Sequence, residues 1–598
     1  MKWGIPLTSA SIDIRLTIGG DAGQGVESSG AGFSKALSRG GLEIFSLSDY
    51  RSRIRGGHNF YQLRISDRPV YSHADPVHLL IALTRETIDV HLDNTVPGGG
   101  ILYDEEFASE PKDIEAQGRK PLPMPLTAIA KEHGSRVMMN TAALGAAAAV
   151  LRFPLSYLED VIQDNFAGKG QKVIDVNLAV VRKAYRLAVE RYGNNFPWSL
   201  PAETLEHLSK RPKRIILHGN HAIALGAAAA GCRFIAAYPM TPGTSIFEWL
   251  TAHANQLGIV SKHAEDEIAA VCMTIGANTM GVRAMTSTSG GGFSLMVEAL
   301  GMAGMVEVPL VIVLAQRGGP STGLPTRTEQ GDLLFALHAS QGEFPRIILA
   351  PGTIPDCFRK TWKAFNLAEK YQCPVILLTD QFLASSLRTL EWQEIDTREL
   401  EIDRGATILP GEPLTQDGPY QRYALTESGV SPRVLPGHPD GVYAMTTDEH
   451  TPESHISESS EVRIQMMTKR MRKLDTAVAE MDGPSLYGPE EAEQTLICWG
   501  SMYGPCREAV NQLNRDGIQV NMLHFSDLWP FPLDKSLPYL ERIRSGIVVE
   551  QNYTGQFARF LRMNTGYTAD RVLNKFDGRQ FTPGEIASNV REAELVHG

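Results

Sequence analysis

The stretch that decides the fold opens on Tyr238-Pro239-Met240-Thr241-Pro242 and continues through His263-Ala264-Glu265-Asp266-Glu267. Thr286-Ser287-Thr288-Ser289-Gly290-Gly291-Gly292 follows, then Gln316-Arg317-Gly318-Gly319. It closes on Ser321-Thr322-Gly323-Leu324-Pro325-Thr326-Arg327-Thr328-Glu329-Gln330-Gly331-Asp332. Between these polar spots lie apolar runs of strand length, such as Phe234 to Ala237 and Leu310 to Ala315. Polar or Gly-rich turns directly after buried strands are where open α/β sheets place ligands.

Val311-Ile312-Val313-Leu314 is continuously apolar, as a parallel strand covered on both faces must be. Arg317 follows at its carboxyl end, and the Phe234 to Ala237 run likewise delivers Thr241. Glu265 to Met280 reads as a helix, with Ile268, Ala269, Cys272, Ile275 and Gly276 sharing one face at spacings of three and four. Glu267 lies in its first turn, on the side that carries small residues. A carboxylate entering an interior needs a partner or takes up a proton. Taken singly, a glutamate in a first turn merely favours the helix dipole, and an arginine after a strand is a surface ion pair. Their combination and order point to a site.

These motifs resemble the pyrimidine-binding domain of the 2-oxoacid:ferredoxin oxidoreductases, which use thiamine diphosphate. Tyr238-Pro239-Met240-Thr241-Pro242 resembles that family's Tyr-Pro-Ile-Thr-Pro. The resemblance assigns the threonine that touches the 2-oxoacid to Thr241, the catalytic glutamate to Glu267 and the substrate-carboxylate arginine to Arg317. Tyr238 and Pro239 would line the pyrimidine pocket. The run through Gly323-Leu324-Pro325-Thr326 is especially similar to the 2-oxoglutarate branch, which makes Thr326 and Arg327 candidates for substrate binding, Arg327 for the distal carboxylate. The residue types suit that chemistry. A buried carboxyl bonded to the pyrimidine ring favours the tautomer that removes the thiazolium proton, and an arginine holds a carboxylate bidentately.

A chain of 598 residues holds roughly three or four domains of about 150 residues. Its 43% apolar and 21% charged residues are an ordinary globular profile, and a net charge of −11 argues against nucleic acid as a partner. No apolar run approaches the roughly 18 residues of a membrane span, and Met1-Lys2-Trp3-Gly4-Ile5-Pro6 lacks the apolar core of a signal peptide. The expected location is the cytoplasm. The six cysteines, Cys232, Cys272, Cys357, Cys373, Cys498 and Cys506, include no Cys-x-x-Cys pair, so the sequence carries no iron–sulfur motif. Most are flanked by apolar or small residues and read as buried thiols.

The expected architecture is α/β and multidomain: a gamma domain over 1–197, a thiamine diphosphate pyrimidine-binding domain over 210–388, an extended linker over 389–490 and a transketolase C-terminal-like domain over 491–598. In the first, Ile12 to Ile18 alternates as a strand and leads through Gly19-Gly20-Asp21-Ala22-Gly23-Gln24-Gly25 into a helix from Val26 to about Arg39. A strand, Gly loop and helix suggest a phosphate cradle, but the spacing is not a clean Gly-x-Gly-x-x-Gly. The loop instead resembles the family's gamma-domain turn, Gly-x-Gly-Gly-Gln-Gly, with Asp21-Ala22 departing from it. Arg51, Arg53 and Arg55 are candidates for coenzyme A; a solvated basic turn or subunit contact remains the other reading.

Val70 to Leu83 and Gly98 to Tyr103 are predicted strands, Met138 to Leu151 and Val176 to Tyr192 predicted helices. Asn194 to Trp198 and the charged Glu206 to Arg214 read as a linker. An Ala-rich helix from Gly219 and a late buried strand, Cys373 to Asp380, are predicted for the second domain. The third stretch is rich in Pro, Gly, Ser and acids, a length usually functional or laid over a neighbour. Its Arg422 to Gly429 and Glu449-His450 resemble the family's linker. A helix from Val462 to Met481 is predicted there, with Lys469, Arg470, Arg472 and Lys473 as a solvated basic face. Thr495 to Ser501, Val520 to Phe525 and Gly546 to Asn552 are spaced as the strands of a last βαβ domain.

The thiamine enzymes' diphosphate motif, Gly-Asp-Gly followed by an asparagine, is absent from the sequence, and Gly331-Asp332-Leu333 is too poor a match. The resemblance therefore implies a beta subunit carrying the Mg2+ and diphosphate site and a [4Fe-4S] cluster, with thiamine at the interface of an assembly of two alpha and two beta chains. This chain itself would hold no metal. The implied activity is a fused gamma–alpha subunit of 2-oxoglutarate:ferredoxin oxidoreductase, converting 2-oxoglutarate and coenzyme A to succinyl-CoA and CO2 with ferredoxin as electron carrier. Pyruvate or branched-chain 2-oxoacids as substrates, or a non-catalytic scaffold subunit, are the alternatives.

Overall fold

A strand buried on both faces must be apolar at every position, and the computed structural model places such runs, Leu310–Gln316 among them, in a parallel sheet, one of three large sheets in the chain. It describes residues 12–50, 57–107, 111–193, 195–398, 400–414 and 418–597. The chain packs as two compact units, one built from the chain up to Leu217 with Ser386–Gln393 and the segment from Thr582, the other from His218–Ser385 and Glu394–Phe581.

The first unit is organised on an eight-stranded sheet. Its order is Lys120–Met124, Thr95–Asp104, Val77–Ala82, Asp13–Asp21, His58–Ser66, Glu43–Asp49, Leu387–Leu390 and Ile215–His218. Asp13–Asp21 runs parallel to Val77–Ala82 and antiparallel to His58–Ser66. The Gly loop leads into a helix at Val26–Arg39, and the Ala-rich helix is Met139–Val150. The latter packs so tightly on Gln171–Tyr192 that a Cβ at Gly145 would lie 2.6 Å from the Val181 carbonyl oxygen. Two expectations change. The predicted strand from Val70 begins only at Val77. The charged stretch after Leu200 is not plain linker: Ala202–Ser209 is a helix, because Leu205 and Leu208 share one side and are buried. Leu387–Leu390 pairs antiparallel with Glu43–Asp49, so residue 389 falls inside a strand of this sheet. Arg51, Arg53 and Arg55 lie outside the described residues.

The second unit carries a seven-stranded sheet in the order Asp527–Trp529, Ile347–Leu349, Pro374–Asp380, Leu310–Gln316, Ala284–Thr288, Phe234–Ala237 and Val260–His263. All neighbours are parallel except Asp527–Trp529, which runs antiparallel to Ile347–Leu349. Helices Gly219–Ala229, Thr244–Ala252, Glu267–Thr279, Gly290–Met305 and Ile354–Tyr371 cover it. A five-stranded sheet lies further along the chain, in the order Ser485–Tyr487, Val520–Phe525, Gln494–Trp499, Gly546–Glu550 and Arg571–Asn574.

The face predicted for the Glu267 helix is rotated by one residue. Ile268 and Cys272 are exposed, and the buried positions are Glu267, Ala270, Val271, Thr274, Ile275 and Asn278. Asp266 caps the helix by accepting from the Ala269 N–H at 2.7 Å. Two of the three polar residues turned inward are satisfied: Thr274 donates to the Ala270 carbonyl at 2.8 Å, and Asn278 exchanges hydrogen bonds with the backbone of Ala284. A buried polar group that keeps its hydrogen bonds costs little.

The basic stripe of the linker helix, Ser460–Ala477, is not a solvated face. Lys469, Arg470 and Lys473 are buried, and Arg472 alone of the four is exposed. Their partners are Glu307 and Glu449. Lys469 meets Glu307 at 2.7 and 2.8 Å, Lys473 meets it at 2.5 Å, and Arg470 grips Glu449 bidentately at 2.7 and 2.9 Å. Burial opposes the charge on Glu307, but Lys469, Lys473 and Arg422 hold its carboxyl well below the usual range, while burial pulls Lys469 down to about 7. Arg422 also donates to the Glu307 carbonyl at 2.7 Å. The linker is therefore a strap tied down by interior charge. Five of the six cysteines are buried, and among the described residues no helix is long and apolar enough to cross a membrane.

Candidate active site

Three neighbouring parallel strands, Phe234–Ala237, Ala284–Thr288 and Leu310–Gln316, end side by side. Their carboxyl ends deliver Thr241, Ser289 and Arg317 to one edge, as the open-sheet rule requires. The turn after the first strand is held from several sides. Arg317 Nη1 donates to the Thr241 carbonyl at 2.7 Å, Asn220 Nδ2 to the Pro242 carbonyl at 2.7 Å, and Ser287 Oγ to the Gly243 carbonyl at 3.3 Å. Thr241 and Arg317, 76 residues apart, are thus direct neighbours.

Glu267 stands in the first turn of its helix and is only 3% exposed. Its carboxyl lies against the start of the Gly290–Met305 helix: a Cβ at Gly292 would sit 2.5 Å from Glu267 Oε1, 2.7 Å from its Cγ and 2.1 Å from Thr288 Oγ1. Glycine there is what lets the carboxyl enter. Glu267 Oε1 is buried with no hydrogen-bond partner. Burial raises its pKa, and the neighbouring Asp266 adds to the rise. A buried carboxyl oxygen left unpaired costs about 1–3 kcal/mol, a cost that a polar group from outside the chain would offset.

Asp332 is a member the sequence reading set aside as a poor motif match. Its Oδ2 would lie 2.8 Å from a Cβ at Gly290, and its N–H donates to Gln316 Oε1 at 2.9 Å. Burial pushes Asp332 up to about 6, against the opposing pull of Arg317. Arg317 is itself lowered by burial and supported by Asp332. Glu329 is raised by burial and by Asp332. No periodicity flags such residues, because their proximity to Arg317 and Gly290 exists only once the loop has folded back. The only sign in the sequence is the aperiodic polar run before the Leu333 helix.

That loop returns on itself. Gly318 and Leu324 form an antiparallel bridge, and the Gly318 N–H donates to the Arg327 carbonyl at 3.2 Å. Thr326 and Arg327 are thereby brought back beside the residue that follows Arg317. Tyr238 is 39% exposed, its ring 6.3 Å from that of His263, and Pro239 is exposed. Both lie at the end of the Phe234–Ala237 strand.

A buried carboxyl with an unpaired oxygen and a pKa raised by burial fits the aminopyrimidine of thiamine, whose ring nitrogen is a matching hydrogen-bond partner. The family model described as pyruvate flavodoxin/ferredoxin oxidoreductase, thiamine diphosphate-binding, matches residues 225–469. A pyruvate ferredoxin/flavodoxin oxidoreductase model matches 15–187, and one for pyruvate:ferredoxin oxidoreductase core domain II matches 492–586. Fold and family models together define a thiamine diphosphate-binding oxidoreductase chain. The 2-oxoacid:ferredoxin oxidoreductase subunit alpha of a Sulfolobus species is 34% identical over 95% of this chain and 95% of its own. The 2-oxoglutarate oxidoreductase subunit KorA of Mycobacterium tuberculosis is 30% identical over 97% of this chain and 91% of its own. Among solved structures, the 2-oxoglutarate:ferredoxin oxidoreductase from Magnetococcus marinus, with 2-oxoglutarate, coenzyme A and succinyl-CoA bound, superposes with a TM-score of 0.89 at 34% identity. The match covers 97% of this chain and 99% of that one. The chain belongs to the 2-oxoacid:ferredoxin oxidoreductase alpha-subunit family.

Proposed function

We propose that this chain is the alpha subunit of a 2-oxoglutarate:ferredoxin oxidoreductase, interconverting 2-oxoglutarate plus coenzyme A with succinyl-CoA plus CO2. The observation that carries the reading is the buried, unpaired Glu267 Oε1 on the same sheet edge as the Thr241–Arg317 pair. Thiamine diphosphate, when bound, supplies the electron sink that lets a 2-oxoacid lose CO2. Glu267 holds a proton at Oε1 for the pyrimidine ring nitrogen, and its burial keeps that proton available. Arg317 pairs with the substrate's 2-oxoacid carboxylate, and its bond to the Thr241 carbonyl fixes its direction. Thr241 touches the same end of the substrate. Thr326 and Arg327 take the distal carboxylate. Tyr238 and Pro239 line the pyrimidine side.

In this proposal a beta subunit supplies the Mg2+ and diphosphate half and a [4Fe-4S] cluster, and ferredoxin carries the electrons. The assembly has two copies of each chain, and Arg51, Arg53 and Arg55 are the candidates for binding coenzyme A. The names of relatives support the substrate assignment, since the structural relative holds 2-oxoglutarate and a curated relative is a 2-oxoglutarate enzyme. Relatives described only as 2-oxoacid enzymes support a broader substrate range as the second reading. The test is co-expression with the partner chain, followed by coenzyme A-dependent viologen reduction across 2-oxoacids. The expected result is highest kcat/KM on 2-oxoglutarate. Preference for pyruvate or a branched-chain 2-oxoacid refutes the substrate, and absence of turnover on every 2-oxoacid refutes the activity.

A further inference from the structure

The five-stranded C-terminal sheet has a crevice of its own. Gln494–Trp499 is parallel both to Val520–Phe525 on one side and to Gly546–Glu550 on the other. The chain leaves the first strand toward one neighbour and later crosses to the opposite one, so the gap beyond Trp499 and Glu550 is a topological switch point. Open parallel sheets hold their ligands in such a gap. Here the gap is filled by Gln330, a residue of the substrate loop.

Gln330 is 0% exposed, and each of its four polar atoms is engaged by that sheet. Its N–H donates to the Gln551 carbonyl at 2.7 Å, and its Oε1 accepts from the Gln551 N–H at 3.2 Å. Its Nε2 donates to the Trp499 carbonyl at 3.1 Å, and its carbonyl accepts from Asn552 Nδ2 at 3.0 Å. The residues around it are gripped in the same way. Thr328 N–H donates to the Gly578 carbonyl at 3.2 Å, and Gln556 Nε2 donates to the Gly331 carbonyl at 2.6 Å. Gln556 Oε1 accepts from the Leu334 N–H at 3.0 Å. Gly578, at φ +79°, lies so close that a Cβ there would sit 2.9 Å from Arg327 Cβ. Between these grips Asp332 returns to Gln316, next to Arg317.

We infer that the C-terminal sheet has given up its own ligand crevice to clamp the substrate loop, and that Gln330, Asn552 and Gln556 are positioning residues that set selectivity for the distal end of the 2-oxoacid through Thr326 and Arg327. The inference rests on the proposed function. A loop whose backbone is bonded at 328, 330, 331 and 334 cannot shift Arg327 without breaking several hydrogen bonds at once. Such a fixed cation discriminates substrates by whether their far end carries a carboxylate.

The test uses the enzyme assembled with its partner chain, with Gln330→Ala and Gln556→Ala compared on 2-oxoglutarate and on monocarboxylic 2-oxobutyrate. Gln556 is half-buried and touches the loop only through backbone groups, so its variant reads out the clamp even where Gln330→Ala does not assemble. The expected result is a KM for 2-oxoglutarate raised about tenfold, one 1.4 kcal/mol step. The KM for 2-oxobutyrate, kcat and thiamine affinity should all stay within about twofold, because a merely structural defect lowers all of them together. An active enzyme in which both variants leave the 2-oxoglutarate to 2-oxobutyrate KM ratio unchanged overturns the clamp alone. A wild-type enzyme without turnover on any 2-oxoacid overturns both the clamp and the function beneath it.

Discussion

Replacing Gly292 by alanine puts one methyl group where Glu267 enters the site. The new carbon would lie 2.5 Å from Glu267 Oε1, and an ordinary contact begins at 3.4 Å. The carboxyl oxygen must therefore retreat by about 0.9 Å (3.4 − 2.5), and Glu267 Cγ, at 2.7 Å, must move with it. A misplacement of about 1 Å in a reacting group costs on the order of 100-fold in rate. Overpacking costs about 1–3 kcal/mol of stability, offset by up to about 1 kcal/mol of helix propensity. The neighbouring Gly291 is the internal control: a Cβ there meets nothing nearer than the Ser321 carbonyl at 3.9 Å. Gly291→Ala should keep its rate and gain about 0.5–1 kcal/mol. The assay is coenzyme A-dependent viologen reduction by the assembled enzyme, with thermal melts of both variants. A folded Gly292→Ala enzyme turning over within a few-fold of wild type would refute the placement of Glu267, and so would equal losses in both variants.

Glu267→Gln should assemble normally and lose about 10²–10⁴-fold in kcat, the range of a lost acid–base group; near-normal turnover removes Glu267 from the mechanism. Arg327→Ala should weaken 2-oxoglutarate far more than 2-oxobutyrate, and equal losses on the two substrates would exclude it from the distal site. Burial raises the folded pKa of Asp332 to about 6 from 3.8, so its protonated form is the one the fold favours, and stability falls as pH rises through that window. Asp332→Asn should therefore match wild type near pH 4 and gain no more than about 3 kcal/mol above pH 6. A melting difference that stays flat between pH 4 and 7.5 contradicts this. Lys473→Met leaves Glu307 short of a partner in the interior and should cost about 3–5 kcal/mol, read by chemical denaturation.

Much of the fold was legible because buried parallel strands announce themselves. Phe234 to Ala237 and Leu310 to Ala315 are apolar at every position, and each emerges as a strand followed by a site residue. The positions of Thr241, Glu267 and Arg317 were legible for the same reason: each stands close after a strand or at the start of a helix. The exposed side of the Glu267 helix was misread because Ile268 and Cys272 are more apolar than Thr274 and Asn278, the polar residues that turn inward with their hydrogen bonds satisfied. The lysines of the linker helix look like any basic stripe until Glu307 is seen beneath them.

Local pattern alone determined most of the strands and helices around the site, that the sequence lacks the diphosphate motif, and that Glu267, Thr241 and Arg317 stand near strand or helix ends. Period and composition act over a few residues, and these features live at that range. Tertiary structure alone decided that Thr241 and Arg317 bond across 76 positions, that Gly292 makes room for a carboxyl, that burial raises the pKa of Asp332, and that Gln330 fills another sheet's crevice. Each depends on two segments far apart in sequence sharing one desolvated volume, where what a side chain costs is set by its neighbours in space.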